Sequence, residues 1–180
     1  MARKQIDLYD KDQEQICLDI ETLSLNHNAV IVSIGGCRFT VGEGIMDKFS
    51  VNIDPFDSKK LGLHIDPDTI AWWKKQPKEV SDLWKVNQVS LEYAMERFVE
   101  WYGLSSVPTW TKGIDFDLVI LKHSLKAVNL STPWKYWDAC DVRTAFKMAG
   151  FEKDLSKIMH SAVDDAVDQA KDIISILGEV

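Results

Sequence analysis

The run Ile16-Cys17-Leu18-Asp19-Ile20-Glu21-Thr22 places two carboxylates on an otherwise apolar stretch, and it limits what the chain can fold into more than any other segment. An apolar run this short reads as a strand. Successive strand side chains point to opposite faces, so Asp19 and Glu21 share one face. At roughly 7 Å and an effective dielectric of about 20, two such charges repel by about 2 kcal/mol. A divalent cation between them removes that cost, because carboxylate oxygens are the ligands that Mg²⁺ and Mn²⁺ prefer. Taken alone, the run also fits a strand that ends at the surface with both acids solvated.

The chain has 180 residues, 46% of them hydrophobic, enough for one substantial core, and no linker divides it. A single domain over residues 1–180 is expected. Met1 to Gln15 is polar and charged, without a signal-type apolar stretch, and no later segment approaches 18 apolar residues in a row. The expectation is an intracellular, cytoplasmic protein with no membrane association. Cys17, Cys37 and Cys140 are odd in number, widely spaced and in apolar contexts, as buried free thiols are. The net charge of −7 argues against tight coating of nucleic acid. It leaves room for transient binding of a chain end through metal ions, which carboxylate ligands would hold.

Three strands joined by short turns are expected first: 16–22, then Ala29 to Phe39 with Gly35 and Gly36 allowing a bulge, then Ile45 to Ile53. Asp54 to Gly62 reads as a loop. Asp66-Pro67-Asp68-Thr69 starts a short helix over 69–76, ended by Pro77, and another runs from there through Trp84. From Ser90, the spacing of Leu91, Ala94, Met95, Phe98, Val99 and Tyr102 predicts an amphipathic helix closed by Gly103. Strands are expected over 107–111 and 134–139, and helices over 116–128, 142–149 and 161–177. Antiparallel strands followed by strands alternating with helices imply an α/β fold: a central mixed five-stranded sheet flanked by helices.

Two further acids stand where helices begin. In Gly113-Ile114-Asp115-Phe116-Asp117 a strand gives way through a glycine turn to an apolar helix. Asp117 is the functional candidate there and Asp115 the cap; an acid at a helix N-terminus also has an ordinary electrostatic explanation. In His160-Ser161-Ala162-Val163-Asp164-Asp165, the 100° step of the last helix puts Ala162, Val163, Ala166, Val167, Ala170, Ile173, Ile174, Ile176 and Leu177 on one arc. Asp164 falls opposite it, with Asp168 and Lys171. Asp165 lies at the edge of the arc, where an acid needs a partner. His160 precedes the helix, and an imidazole titrating near pH 6.5 suits a general base.

Asp19, Glu21, Asp117 and Asp165 with His160 resemble the DEDDh exonuclease family, the DnaQ-like branch of the ribonuclease H-like fold. Its three motifs are matched in order by Asp19-Ile20-Glu21-Thr22, Phe116-Asp117 and His160 to Asp165. The family's histidine stands five positions before its last aspartate, which selects Asp165 again. Ile65 to Gln76, and Pro133 to Trp137 followed by Asp141-Val142-Arg143-Thr144, resemble a subfamily of phage exodeoxyribonucleases and small bacterial exoribonucleases. Thr22-Leu23-Ser24-Leu25 departs from the glycine that often follows the first motif, and Lys112-Gly113 from the Asn often found before the second.

The resemblance implies 3′–5′ hydrolysis of single-stranded DNA or RNA ends, DNA slightly favoured, to nucleoside 5′-monophosphates. Two Mg²⁺ or Mn²⁺ ions would be held by the four carboxylates, with His160 as base. Thr22 and Leu23 would touch the terminal nucleotide, Leu23 as an apolar wedge. The alternatives are an exoribonuclease that trims RNA, or a binding module that has lost catalysis, against which the intact acid set speaks. Trp72, Trp73, Trp110, Trp134 and Trp137 offer stacking surfaces or core packing, and adjacent Trp72 and Trp73 cannot both point inward. Lys112, Lys122, Lys126 and Lys135 could line a substrate path. Related ribonucleases dimerise, but no self-complementary patch in this sequence requires a homodimer.

Overall fold

The structure, a computed structural model, describes residues 7–103, 106–152 and 160–179. Strands β1 (Gln15–Thr22), β2 (Ile31–Thr40) and β3 (Gly44–Asn52) form an antiparallel meander, and β4 (Thr109–Thr111) and β5 (Ala139–Asp141) add parallel to β1. The order is β3-β2-β1-β4-β5, the mixed five-stranded sheet expected. Helices α1 (Pro55–Lys60), α2 (Pro67–Trp73), α3 (Lys78–Ser81), α4 (Leu91–Tyr102), α5 (Asp117–Ala127), α6 (Val142–Ala149) and α7 (Ala162–Gly178) flank it.

Strand alternation in β1 sends Ile16, Leu18 and Ile20 into one apolar cluster with Leu91, Met95 and Phe98 of α4 and Leu118, Leu121 and Leu125 of α5. Cys17, on the opposite face, joins Cys37, Phe39, Val142 of α6 and Val167, Ala170 and Ile173 of α7. Asp19 and Glu21 share the parity of Cys17, so both project toward α7. Cys17 and Cys37 are buried free thiols, and Cys140 is half-buried and free.

Several local expectations are corrected. Gly35 and Gly36 sit in unbroken register with Asp19 and Leu18; the irregularity between β1 and β2 lies at Glu21/Thr22. The glycines serve close packing instead. A Cβ on Gly35 would lie 2.0 Å from the Ala162 carbonyl carbon and 2.1 Å from the Val163 nitrogen, so the start of α7 rests on bare β2 backbone. Residues 54–62 are not a loop, because Asp54 caps Phe56 and Pro55 opens α1. The segment after Pro77 splits into α3 and a 3-10 turn over Leu83–Lys85. Residues 134–138 form a turn rather than a strand: the Asp138 carboxylate accepts from Lys135 N, and pairing begins at Ala139.

Candidate active site

β1 delivers Asp19 and Glu21, and α7 delivers Asp165 from its first turn. Oxygen atoms of these three carboxylates all lie within 4.8 Å of one another. Their approach depends on Gly35, the direct partner of Asp19 on β2, because only a residue without a side chain lets the α7 backbone come so near. Asp164 is exposed and takes no part, as the helical arc predicts.

Asp117 approaches from the β4 side; it lies outside the group that converges within 4.8 Å, but its charge acts on both Asp19 and Glu21. Ile16 N donates to Pro108 O, so alternate β1 amides face β4, but the β1–β4 ladder ends at Cys17 and Trp110. Beyond it, the Ile20 amide bonds the Asp117 carboxylate instead. Asp117 opens α5 and is only 6% exposed. Asp115 is not the cap: no side chain caps α5, and Asp115 is exposed.

The electrostatics are those of a cation site. Burial, then the charges of Asp117 and Asp165, push the Asp19 carboxyl well above the carboxylate range. Burial, then Asp19, Asp165 and Asp117, push Glu21 up to about 9. Burial raises Asp117 to about 7 against hydrogen bonds from its own and the Ile20 amide and the charge of Arg143. Asp19, Glu21 and Asp117, which resist ionising together, fit a centre built for divalent cations, and with Asp165 they offer only the hard oxygens such ions take.

Sequence reading missed Gln169. It lies one turn beyond Asp165 on the same face of α7, 3% exposed, and its Nε2 donates to Asp19 Oδ1 at 2.9 Å. That bond fixes the rotamer of Asp19. A lone amide amid Ala162, Ala166, Ala170 and Ile173 was the available signal.

His160 adopts a left-handed backbone (φ 44°) and lines a cavity of about 150 Å³ with Glu21, Ser33, Asn52 and Trp84. Its ring stands edge-on to Trp72 at 5.2 Å and to Trp73 at 6.5 Å. The two tryptophans divide as their 100° separation requires. Trp73 is buried with its Nε1 donating to Thr22 O at 2.9 Å, while Trp72 is 42% exposed. Trp110 and Trp134 are core residues.

Beside the acids, Glu21, Thr22, Leu25, Thr69, Trp72 and Phe116 help line an open groove of about 540 Å³. Thr22 is in its wall, its hydroxyl donating to Ser24 O at 2.7 Å. Leu23 is not in it. It is 2% exposed inside the core, and the leucine presented to the groove is Leu25, 76% exposed. The β1–β2 register shifts at Glu21/Thr22, just before the chain takes Leu23 into the core.

The sequence model of the family described as "3′-5′ exoribonuclease Rv2179c-like domain" matches residues 14–177. No curated protein sequence matches the chain. Among solved structures, cell-death related nuclease 4 (CRN-4) superposes with a TM-score of 0.64 at 15% identity, over 94% of this chain and 65% of that one. E. coli exonuclease I with a 5cy-dA13 oligonucleotide superposes at 0.60 and 11% identity, over 93% of this chain and 40% of that one. Its zinc-bound single-stranded DNA complex gives 0.63 and 12%, over 93% and 41%. The chain thus spans about two fifths of exonuclease I and under two thirds of CRN-4, and at these identities the likeness is one of fold. With the match over residues 14–177, the chain belongs to the Rv2179c-like family of 3′–5′ exoribonuclease domains.

Proposed function

We propose that this chain is a divalent-metal-dependent 3′–5′ exonuclease, one domain over residues 1–180, that removes nucleoside 5′-monophosphates from single-stranded 3′ ends. The observation that carries the reading is the convergence of Asp19, Glu21 and Asp165 oxygens within 4.8 Å, with Asp117 electrostatically joined to Asp19. Asp19, Glu21, Asp117 and Asp165 would hold two Mg²⁺ or Mn²⁺ ions, which supply an activated water and charge stabilisation at the leaving oxygen. Gln169 keeps Asp19 aimed inward. His160, beside Glu21 and braced by Trp72, takes the proton of the attacking water. Thr22, Leu25 and Trp72 hold the terminal nucleoside in the groove, with Trp72 offering its exposed face for stacking.

Single-stranded RNA stands first among substrates, because the matching family is described as exoribonuclease, which shifts the balance from the DNA expected above. Single-stranded DNA is the second reading, favoured by the exonuclease I complexes with oligonucleotides of this fold. Incubating 5′-labelled RNA and DNA strands with Mn²⁺ or Mg²⁺, beside an Asp19→Asn control, tests both. Stepwise shortening with release of 5′-monophosphates is expected from the wild type alone. Release from neither polymer would leave only a binding module.

A further inference from the structure

The parallel half of the sheet carries two cations that stand beside the acids without being able to ligate a metal ion. Lys112 follows β4, and Arg143 is the second residue of α6, which follows β5. Thr111 pairs with Asp141, so these strand ends lie side by side, next to the β1 end that carries Asp19. Ligands of α/β sheets bind at the carboxyl ends of parallel strands. The Arg143 guanidinium lies against the turn that sets Asp117: a Cβ on Gly113 would come within 2.9 Å of its Nη1. Lys112 and Arg143 are felt electrostatically at Asp19 and Asp117 respectively. Among the described residues neither forms an ion pair, so their donors are unspent in a chain of net charge −7.

Position gives these cations a direction. The groove opens on the α5 side of the sheet, with Ile20 and Phe116 in its wall, whereas α6 packs on the α7 side with Val142. Phe116 of the 112–117 turn is in the groove wall and Asp117 follows it, so this turn borders the path of a strand whose terminal nucleoside fills the groove and whose scissile phosphate meets the acids. We propose that Lys112 and Arg143 form a subsite for the backbone phosphates on the 5′ side of the scissile bond. This rests on the exonuclease reading and adds to it where the rest of the strand lies. It also explains how an acidic protein can hold a polyanion: positive charge is needed at one strip only.

Steady-state hydrolysis of six-nucleotide and two-nucleotide strands with Mn²⁺ tests the subsite in wild type, Lys112→Gln, Arg143→Gln and Arg143→Lys. Each glutamine variant should raise KM on six nucleotides about tenfold, and the dinucleotide should respond less, because it lacks the phosphates contacted. The slope of log(1/KM) against log salt should fall by about one, and Arg143→Lys should restore most of the loss. A neutral methylphosphonate placed next to the scissile linkage on its 5′ side should weaken the wild type and leave Arg143→Gln little changed. Equal losses on both lengths, confined to kcat, would instead assign Arg143 to the Asp117 turn and overturn the subsite. A wild type inactive on every strand overturns the exonuclease reading and the subsite with it; an active wild type whose KM the variants share overturns the subsite alone.

Discussion

β1 and β2 pair from Gln15 to Thr22 and meet α7 through bare backbone at Gly35, whereas β4 and β5 are three residues each and bring in Asp117 from a turn. The first half has little freedom. Its acids sit on a long strand and a 17-residue helix pressed together, with Gln169 bonded across the gap. The second half has slack, since the atom nearest to a side chain at Gly113 is the end of a flexible arginine. Asp19, Glu21 and Asp165 are thus placed by rigid packing, while the turn that sets Asp117 and carries the nearby cations can adjust.

The largest effect expected is on chemistry. Asp165→Asn or Asp19→Asn should lower kcat by at least about a thousandfold, the several kcal/mol that metal coordination contributes to the transition state, read as monophosphate release. Glycine replacements then contrast the halves directly. Gly35→Ala should cost about 3 kcal/mol or more in a denaturant titration and separate α7 from β1, because the obstacle is backbone. Gly113→Ala should cost less than about 1 kcal/mol, because the guanidinium can swing aside. Equal costs would erase the distinction.

The adjacent leucines sharpen it on the substrate side. Leu23→Ala should destabilise by about 2–5 kcal/mol, as cavity formation in a core does. Leu25→Ala should leave stability within about 0.5 kcal/mol and raise KM instead. Gln169→Leu keeps the volume but frees Asp19, and Mn²⁺ affinity measured by calorimetry should fall about 10–100-fold.

The smallest effect is on pH dependence. Burial holds the Glu21 carboxyl up to about 9 and that of Asp117 up to about 7, both above the ordinary carboxylate range. Raised carboxyl groups favour the fold when protonated, so that contribution is complete below the unfolded values and is lost as pH rises through 7 toward 9. The Tm of the metal-free protein should therefore decline between pH 5 and 9, and saturating Mn²⁺ should flatten the decline, since the ion takes the deprotonated form. A metal-free Tm that climbs over this range would contradict the burial of these acids.

The sequence was most readable where periodicity and spacing were strong. The two-residue interval between Asp19 and Glu21 dictated a shared face, and the 100° step of the last helix separated Asp165 from Asp164 before either was seen in place. Less was readable where tertiary contact overrides local pattern. Gly35 looked like a bulge because nothing local says that a helix will rest on it. Leu23 was assigned to the nucleotide from its place after the first motif, and no local pattern says that the core takes it up. The fifth strand was misplaced because a three-residue strand has no period to detect, and Asp138 turned the aromatic run before it. Gln169 was passed over because an amide within an apolar arc acquires meaning only beside Asp19.

Mn²⁺ binding to the wild type, Asp19→Asn and Asp165→Asn by isothermal calorimetry asks whether a strand acid and a helix acid hold the same ion. Micromolar-to-millimolar binding is expected in the wild type, with its loss in both variants while each still unfolds cooperatively. Undiminished Mn²⁺ binding in both folded variants would contradict a shared ion.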